Sequence, residues 1–599
     1  MRHNLVGWFF LAILLAFSVA CGGDEPGEGD GTADGDGENG EEINGDGDGE
    51  VRAPIYELEF LSQPTSLARA GQAFTVSLGF VDPDGEILDA EGVEITLELS
   101  RGTFADGESQ KSASIDSFGL ANFSLTIEKA DIGYVLIARG TRPEGEAEVL
   151  NSKLFDVMAG TVSSSFSSIT GEDYVLADGQ STAEVQVKLA DSFGNPLSGV
   201  NPVIAAAGAK VEGCSSTDIK GLALCAISSE EPGAKLLEIL EPLTMTGDSI
   251  IFLRACQESG TPFGGGDGSR EDPYLLCSAQ QISQIGLSPE TFAGYFVLTA
   301  DVNLSNIQNF TSIGSEQDPF TGVFDGRGFT LQNLTIHDSD ENDIGFFGVT
   351  GWNSEIRDLH LRAVDLMGSN RVGALVGQSR STIKGASATG VISAESLVGG
   401  LVGTNTGWVD RSFADVDVVG DSLVGGLVGQ NSRIAARPYP NFTGVLTESY
   451  ALGDVTSSSD EMAEVGGFVG TNAGIIADSF AMGAVTAGSA GRVGGLAGSN
   501  VLGASFSRSY AVGEVSGGQR GGLVGFQTSS GEAFLSFWDT ATSQLSAGFG
   551  DTNGGQDGVG LTTSQFEDSD LFTEWDFDQV WMIGASPDGN VRPILRWME

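Results

Sequence analysis

Apolar positions along the chain change their rhythm three times. Near the N-terminus, Leu5 to Ala20 form an apolar run of about sixteen residues. From about 55 to 256 apolar and polar residues alternate in short runs. Val93, Ile95, Leu97 and Leu99 share one face, as do Ala121, Phe123, Leu125 and Ile127. Period-two runs cut by turn signals such as Asp82-Pro-Asp-Gly85 and Ser117-Phe-Gly119 predict antiparallel β-sandwiches. Two modules are expected, at 55–159 and 160–256.

Beyond a glycine-rich linker at 257–270, the rhythm becomes a repeat. Val398-Gly-Gly-Leu-Val-Gly403 returns at 424, 465 and 493, with looser copies at 344, 372 and 520. The starts are spaced 28, 26, 26, 41, 28 and 27 residues apart. A second half accompanies it, in Ser449-Tyr-Ala-Leu-Gly-Asp-Val455, Ser479-Phe-Ala-Met-Gly-Ala-Val485 and Ser509-Tyr-Ala-Val-Gly-Glu-Val515. A period of this size, with two or three short strands and glycine corners per unit, predicts the coils of a parallel β-solenoid over 271–599. Coils stack at about 4.8 Å, so about a dozen of them would make a rod roughly 60 Å long. The long interval holds an insertion around Ser432 to Leu446 that must leave the stack, and Ala279 to Leu287 predicts one short helix. The fold class expected is all-β: two Ig-like sandwiches followed by a β-solenoid, or β-helix.

The apolar run at the start is short for a membrane span and follows the basic Met1-Arg2-His3, as a signal peptide over 1–20 does. It closes on Ser18-Val-Ala-Cys21, which resembles a bacterial lipobox, although Ser18 stands where Leu is usual. The resemblance implies lipidation of Cys21. Gly22 rather than Asp follows, which in a two-membrane bacterium implies, by likeness to sorted lipoproteins, a lipid anchor at the outer membrane rather than the inner one. Gly22 does not set the leaflet, and the cell surface is the expected location. Residues 21–54 are almost wholly Gly, Asp, Glu and Asn, and nothing in them can be buried. A solvated tether is expected. Asp34-Gly-Asp-Gly-Glu38 and Asp46-Gly-Asp-Gly-Glu50 look like calcium loops but lack EF-hand spacing, so calcium is only a weak alternative there and no other cofactor is expected.

Charge narrows the partners. Asp and Glu outnumber Lys and Arg by 82 to 29, for a formal charge of −53. Phosphate backbones repel such a chain, and no nucleic-acid partner is expected. Apart from Cys21, four cysteines remain, Cys214, Cys225, Cys256 and Cys277, an even number in a chain that looks exported. Two disulfides are expected, with sequence neighbours favouring Cys214–Cys225 and Cys256–Cys277 among three connectivities.

Two further resemblances rest on longer strings. Ala177-Asp-Gly-Gln-Ser181, Asp191-Ser-Phe-Gly-Asn-Pro-Leu-Ser-Gly-Val200 and Thr217-Asp-Ile-Lys-Gly-Leu-Ala223 resemble the bacterial Ig-like domain of the invasin and intimin group, whose modules act as spacers. Pro319-Phe-Thr-Gly-Val-Phe-Asp-Gly-Arg-Gly-Phe329, followed by the glycine repeats, resembles bacterial surface proteins with GLUG repeats, from about 270 to 599. Such proteins commonly end in an aromatic tail like Phe537-Trp-Asp539, Trp575-Asp-Phe577, Trp581 and Pro593-Ile-Leu-Arg-Trp597. A cap for the solenoid is the expectation, and a sugar platform the alternative.

Candidate chemistry is sparse. Of three histidines, His3 lies in the leader, and His337 and His360 sit at predicted strands where structural or solvent-facing roles are expected. His-Glu-x-x-His is absent, as is any credible nucleophile elbow, Walker loop or dinucleotide fingerprint. Asp358, Asp365, Asp410, Asp415 and Asp417 form no evident cluster in the sequence, so no catalytic or metal-binding residue is assigned. The expected protein is a non-enzymatic surface lipoprotein that attaches to a carbohydrate, a cell or a matrix component. A polysaccharide-processing β-helix enzyme and a purely structural stalk are the alternatives.

Overall fold

The computed structural model describes residues 56–142, 145–260, 262–308, 310–434, 442–552 and 558–599. Cys21, the leader and the acidic tether lie outside them.

The described chain is almost entirely β. In the first module, Glu57–Ser62, Phe74–Val81 and Ala121–Leu125 form one sheet. Gln110–Ser114, Glu94–Leu99, Leu136–Thr141 and Ala147–Asn151 form the facing one. The alternation expected from sequence is the burial pattern observed: Ile95, Leu97 and Leu99 meet Ala121, Phe123, Leu125 and Ile127 in one core. The second module packs Ser168–Gly171, Thr182–Lys188, Leu222–Ser228 and Lys210–Cys214 against Tyr174–Leu176, Met245–Leu253, Gly233–Glu241 and Val203–Ala206. Cys214 and Cys225 stand opposite each other on adjacent strands and are disulfide-bonded.

The modules meet at the Asp191–Leu197 corner. Asn195 donates to the Glu128 carbonyl at 2.6 Å and accepts from the Ala130 amide at 2.9 Å. Asp191 accepts from the Gly160 amide at 2.7 Å.

The solenoid has three parallel faces. An entry face of ten strands runs from Tyr274–Leu276 to Glu532–Phe534. A glycine face of eight strands runs from Phe347–Val349 to Phe549–Thr552, and a broad face carries nineteen strands, among them the longest, His360–Gly373 and Ser387–Gly399. Ten strands make nine steps, so the rod is roughly 43 Å long at about 4.8 Å per step, shorter than the dozen coils expected. The reason is local: residues beyond Leu561 add no coil but turn back along the side of the rod.

Each column of the interior repeats one residue type. Val372, Val398, Val424, Val465 and Val493 are in register and fully buried. The paired glycines exist because successive backbones nearly touch. A Cβ on Gly400 would lie 2.2 Å from the Gly426 carbonyl, and one on Gly426 would lie 2.1 Å from that of Gly467. At the far end the Trp538 ring sits over Gly522, 2.2 Å from where its Cβ would be, and closes the core. Asn405, Asn431, Asn472 and Asn500 form a buried amide ladder, each donating to the next at 2.9–3.0 Å. The ladder satisfies the polar groups that an apolar interior would leave stranded. The insertion leaves as a short hairpin, Arg433–Ile434 with Phe442–Thr443, and Val445 is already back in register with Trp408.

The second sandwich lies against the start of the rod. Tyr174, Ile251 and Leu253 pack on Leu275 and Val297, and the Cys256–Cys277 disulfide ties the linker across the junction.

Candidate functional site

One surface column explains where the rod opens. Thr330, His360, Ser387, Phe413, Tyr450, Phe480, Tyr510 and Phe537 are consecutive partners along the broad face. From Phe413 to Tyr510 the rings stack face to face at 4.8–4.9 Å, within 6° of parallel. An apolar column on an outer face needs a cover, and the C-terminal segment supplies it. Three indole N–H groups pin that segment to three coils. Trp575 donates to the Leu535 carbonyl at 3.0 Å, Trp581 to an Asp478 carboxylate oxygen at 3.1 Å, and Trp597 to the Glu448 carbonyl at 2.9 Å. Tyr510 adds a hydrogen bond to the Pro593 carbonyl at 2.7 Å. The aromatic tail thus closes the side of the rod, while Trp538 closes its end.

The column ends where Ser387 and His360 replace the rings. Cover stops there too, at Trp597. On the other side stands the Glu172–Tyr174 edge of the second sandwich. Between these walls lies a cleft of about 820 Å³, within the usual range for small-molecule sites, about 300–1,000 Å³. Its floor comes from successive coils: Asp325, Arg357 and Lys384 are in register on the entry face, and Asp358, Gly385 and Arg411 follow at the next corner.

Charge in the cleft is arranged rather than merely present. Arg357 bridges the two modules, 2.9 Å from Asp325 and 2.8 Å from Asp173. Burial pushes the Asp325 carboxyl above its ordinary range, against the pull of Arg357. Asp358 is raised as well, by desolvation and then by the negative charge of Asp325. Burial lowers Arg327, whose guanidinium donates to the Tyr174 carbonyl at 3.1 Å. Arg411 pairs with Glu448 at 2.9 Å. His360, lowered by burial, holds Ser387 through Nδ1 at 2.8 Å. Burial raises the Tyr174 phenol to about 12.

The residues singled out from sequence scatter. Asp358 alone of the five acids enters the cleft. Asp410 is buried and accepts from Thr447 at 2.9 Å. Asp365 meets His337 at 3.0 Å, and Asp415 and Asp417 point to solvent on the broad face. His360, for which a structural or solvent-facing role was expected, is half-buried at the cleft wall and hydrogen-bonded to Ser387. Asp325, Arg327, Arg357, Lys384 and Arg411 were missed. The available signal was Asp325-Gly-Arg327 and Arg357-Asp358 recurring at one coil phase, which only the register makes visible. Among the described residues no group of three or more His, Cys, Asp or Glu is placed to hold a metal ion. Nor is any described helix long and apolar enough to cross a membrane.

No family model matches the chain. Over 151 residues, 23% of its length, it is 32% identical to Halomucin of Haloquadratum walsbyi, of which it spans 2%. Over 148 residues it is 29% identical to a protein described as a Gly-rich membrane protein of Evansella cellulosilytica, of which it spans 17%. Among solved structures it is similar to invasin, a bacterial integrin-binding protein, at 17% identity over 34% of this chain and 40% of that one, with a TM-score of 0.20. It is also similar to InvD of Yersinia pseudotuberculosis, at 14% identity over 32% and 56%, TM-score 0.23. The S-layer protein SbsC matches at 15% identity over 34% and 28%, TM-score 0.17.

Proposed function

We propose that this chain is a non-enzymatic attachment protein of the bacterial cell surface. Cys21 carries the lipid anchor at the outer membrane. The acidic 21–54 segment and the two sandwiches act as spacers, and the rod, built of GLUG-type repeats, offers its lateral cleft to a carbohydrate on a cell or matrix. The observation that carries this reading is the cleft itself. It is made jointly by a spacer module, the third to sixth coils and the folded-back tail, so display and recognition share one set of contacts. Regular columns of Val, Leu and Gly spend their side chains on stacking and leave little for a ligand.

Protease shaving of intact cells tests the placement. Solenoid peptides should be released from cells expressing the chain, and protection of the rod would overturn the surface reading. Radiolabelled palmitate should enter the wild type and not Cys21→Ala.

A second reading, polysaccharide processing, is favoured by one observation: Glu172, Asp173, Asp325 and Asp358 converge on the cleft, two of them with raised carboxyl pKa. A carboxyl raised by burial is the kind of group that can serve as a general acid. Release of new reducing ends from a polysaccharide by the wild type and not by Asp358→Asn would establish it. Attachment remains the preferred reading because Arg357 holds both Asp325 and Asp173 in ion pairs.

A further inference from the structure

The cleft's charge pattern specifies its ligand more closely than the attachment reading does, and the inference rests on that reading. Four cations and four carboxylates line it: Arg327, Arg357, Lys384 and Arg411 against Glu172, Asp173, Asp325 and Asp358. Arg357 is satisfied by Asp325 and Asp173, and Arg411 by Glu448 outside the cleft. Four groups remain without an ion-pair partner among the described residues: the cations Arg327 and Lys384, and the carboxylates Glu172 and Asp358. Arg327 is half-buried, and of its side-chain donors one is used, on the Tyr174 carbonyl.

We propose that the cleft takes an uncharged oligosaccharide. A ligand with net charge would gain from one free pair and be repelled by the other. A sugar hydroxyl both donates and accepts, so a carboxylate and a guanidinium or ammonium can hold the same ring without conflict. The half-buried Phe413 and Trp597 at one end offer apolar rims for the C–H faces of the ring. The whole chain points the same way: at −53, its field repels polyanionic glycans before they reach the cleft.

The test uses the full-length chain on an array of neutral, uronate-bearing, sulfated and sialylated oligosaccharides, followed by calorimetry on the best neutral hit. Binding is expected for neutral saccharides, with a Kd that changes less than about twofold between low and moderate salt. Lys384→Ala and Asp358→Asn should each weaken it at least about tenfold, with unchanged melting. Lys384 is exposed and its side chain makes no ion pair among the described residues, so its loss does not threaten the fold. Asp415→Asn, on the broad face, should bind as wild type. Binding confined to anionic saccharides, or neutral binding untouched by both cleft variants, overturns the inference. Adhesion of whole cells with no saccharide bound in solution also overturns it, while leaving surface attachment standing. Loss of both removes the two readings together.

Discussion

Single residues in this protein are held by partners one coil away. Asn472 accepts from Asn431 and from the Gly474 amide and donates to Asn500, all within a fully buried row. Asn472→Ala strands donors above and an acceptor below it, and should lower the rod's stability by about 3 kcal/mol, read from the midpoint of its urea transition. A different logic governs Asp191. Burial pushes its carboxyl up, but hydrogen bonds from the Asn195 side chain and from the Gly160, Phe193 and Asn195 amides outweigh burial and hold it below the ordinary 3.8. A depressed carboxyl contributes stability that is fully present above the unfolded value and lost as pH falls through the folded one. The junction between the sandwiches should therefore loosen below pH 3.8, and Asp191→Asn should flatten that acid limb in a pH series of melting curves.

At the scale of elements, the tail and the disulfides act where strands alone leave a weakness. Trp581 is fully buried on the aromatic column. Trp581→Ala should cost about 3–5 kcal/mol and raise hydrogen exchange from 562 to 599 before it affects the coils beneath. In the second sandwich, Cys214–Cys225 closes a loop of sequence separation 11 between paired strands. Replacing both with Ser should lower that module's stability by about 2–3 kcal/mol and leave the rod's transition in place.

For the whole molecule, 82 acidic residues against 29 basic ones make self-repulsion a standing cost of the compact state. Raising NaCl from about 0.01 to 0.15 M shortens the screening length from about 30 to about 8 Å. Melting temperature should rise by several degrees over that range, and a fall would show that short-range ion pairs such as Arg508–Asp478 outweigh the general repulsion. The balanced cleft is the exception within this field, which is why its occupancy should ignore the same salt.

Local patterning determined most of the architecture. Alternation places Ile95 and Leu97 inward by the pleat alone, and a recurring Val-Gly-Gly-Leu-Val-Gly requires stacked coils, since only a neighbour's backbone fills the place of each missing Cβ. The two cysteine pairs were legible because each is close in sequence. What only the tertiary structure decided is everything that depends on which coil stops. Whether the tryptophans cap an end or clasp a side turns on the aromatic column beginning at Phe413. The cleft exists because Ser387 and His360 break that column just where the second sandwich docks. Its residues come from the second sandwich, four coils of the rod and the tail, from Glu172 to Trp597. No window of sequence holds them together: their proximity is set by register along the rod axis, a distance the chain covers only by winding.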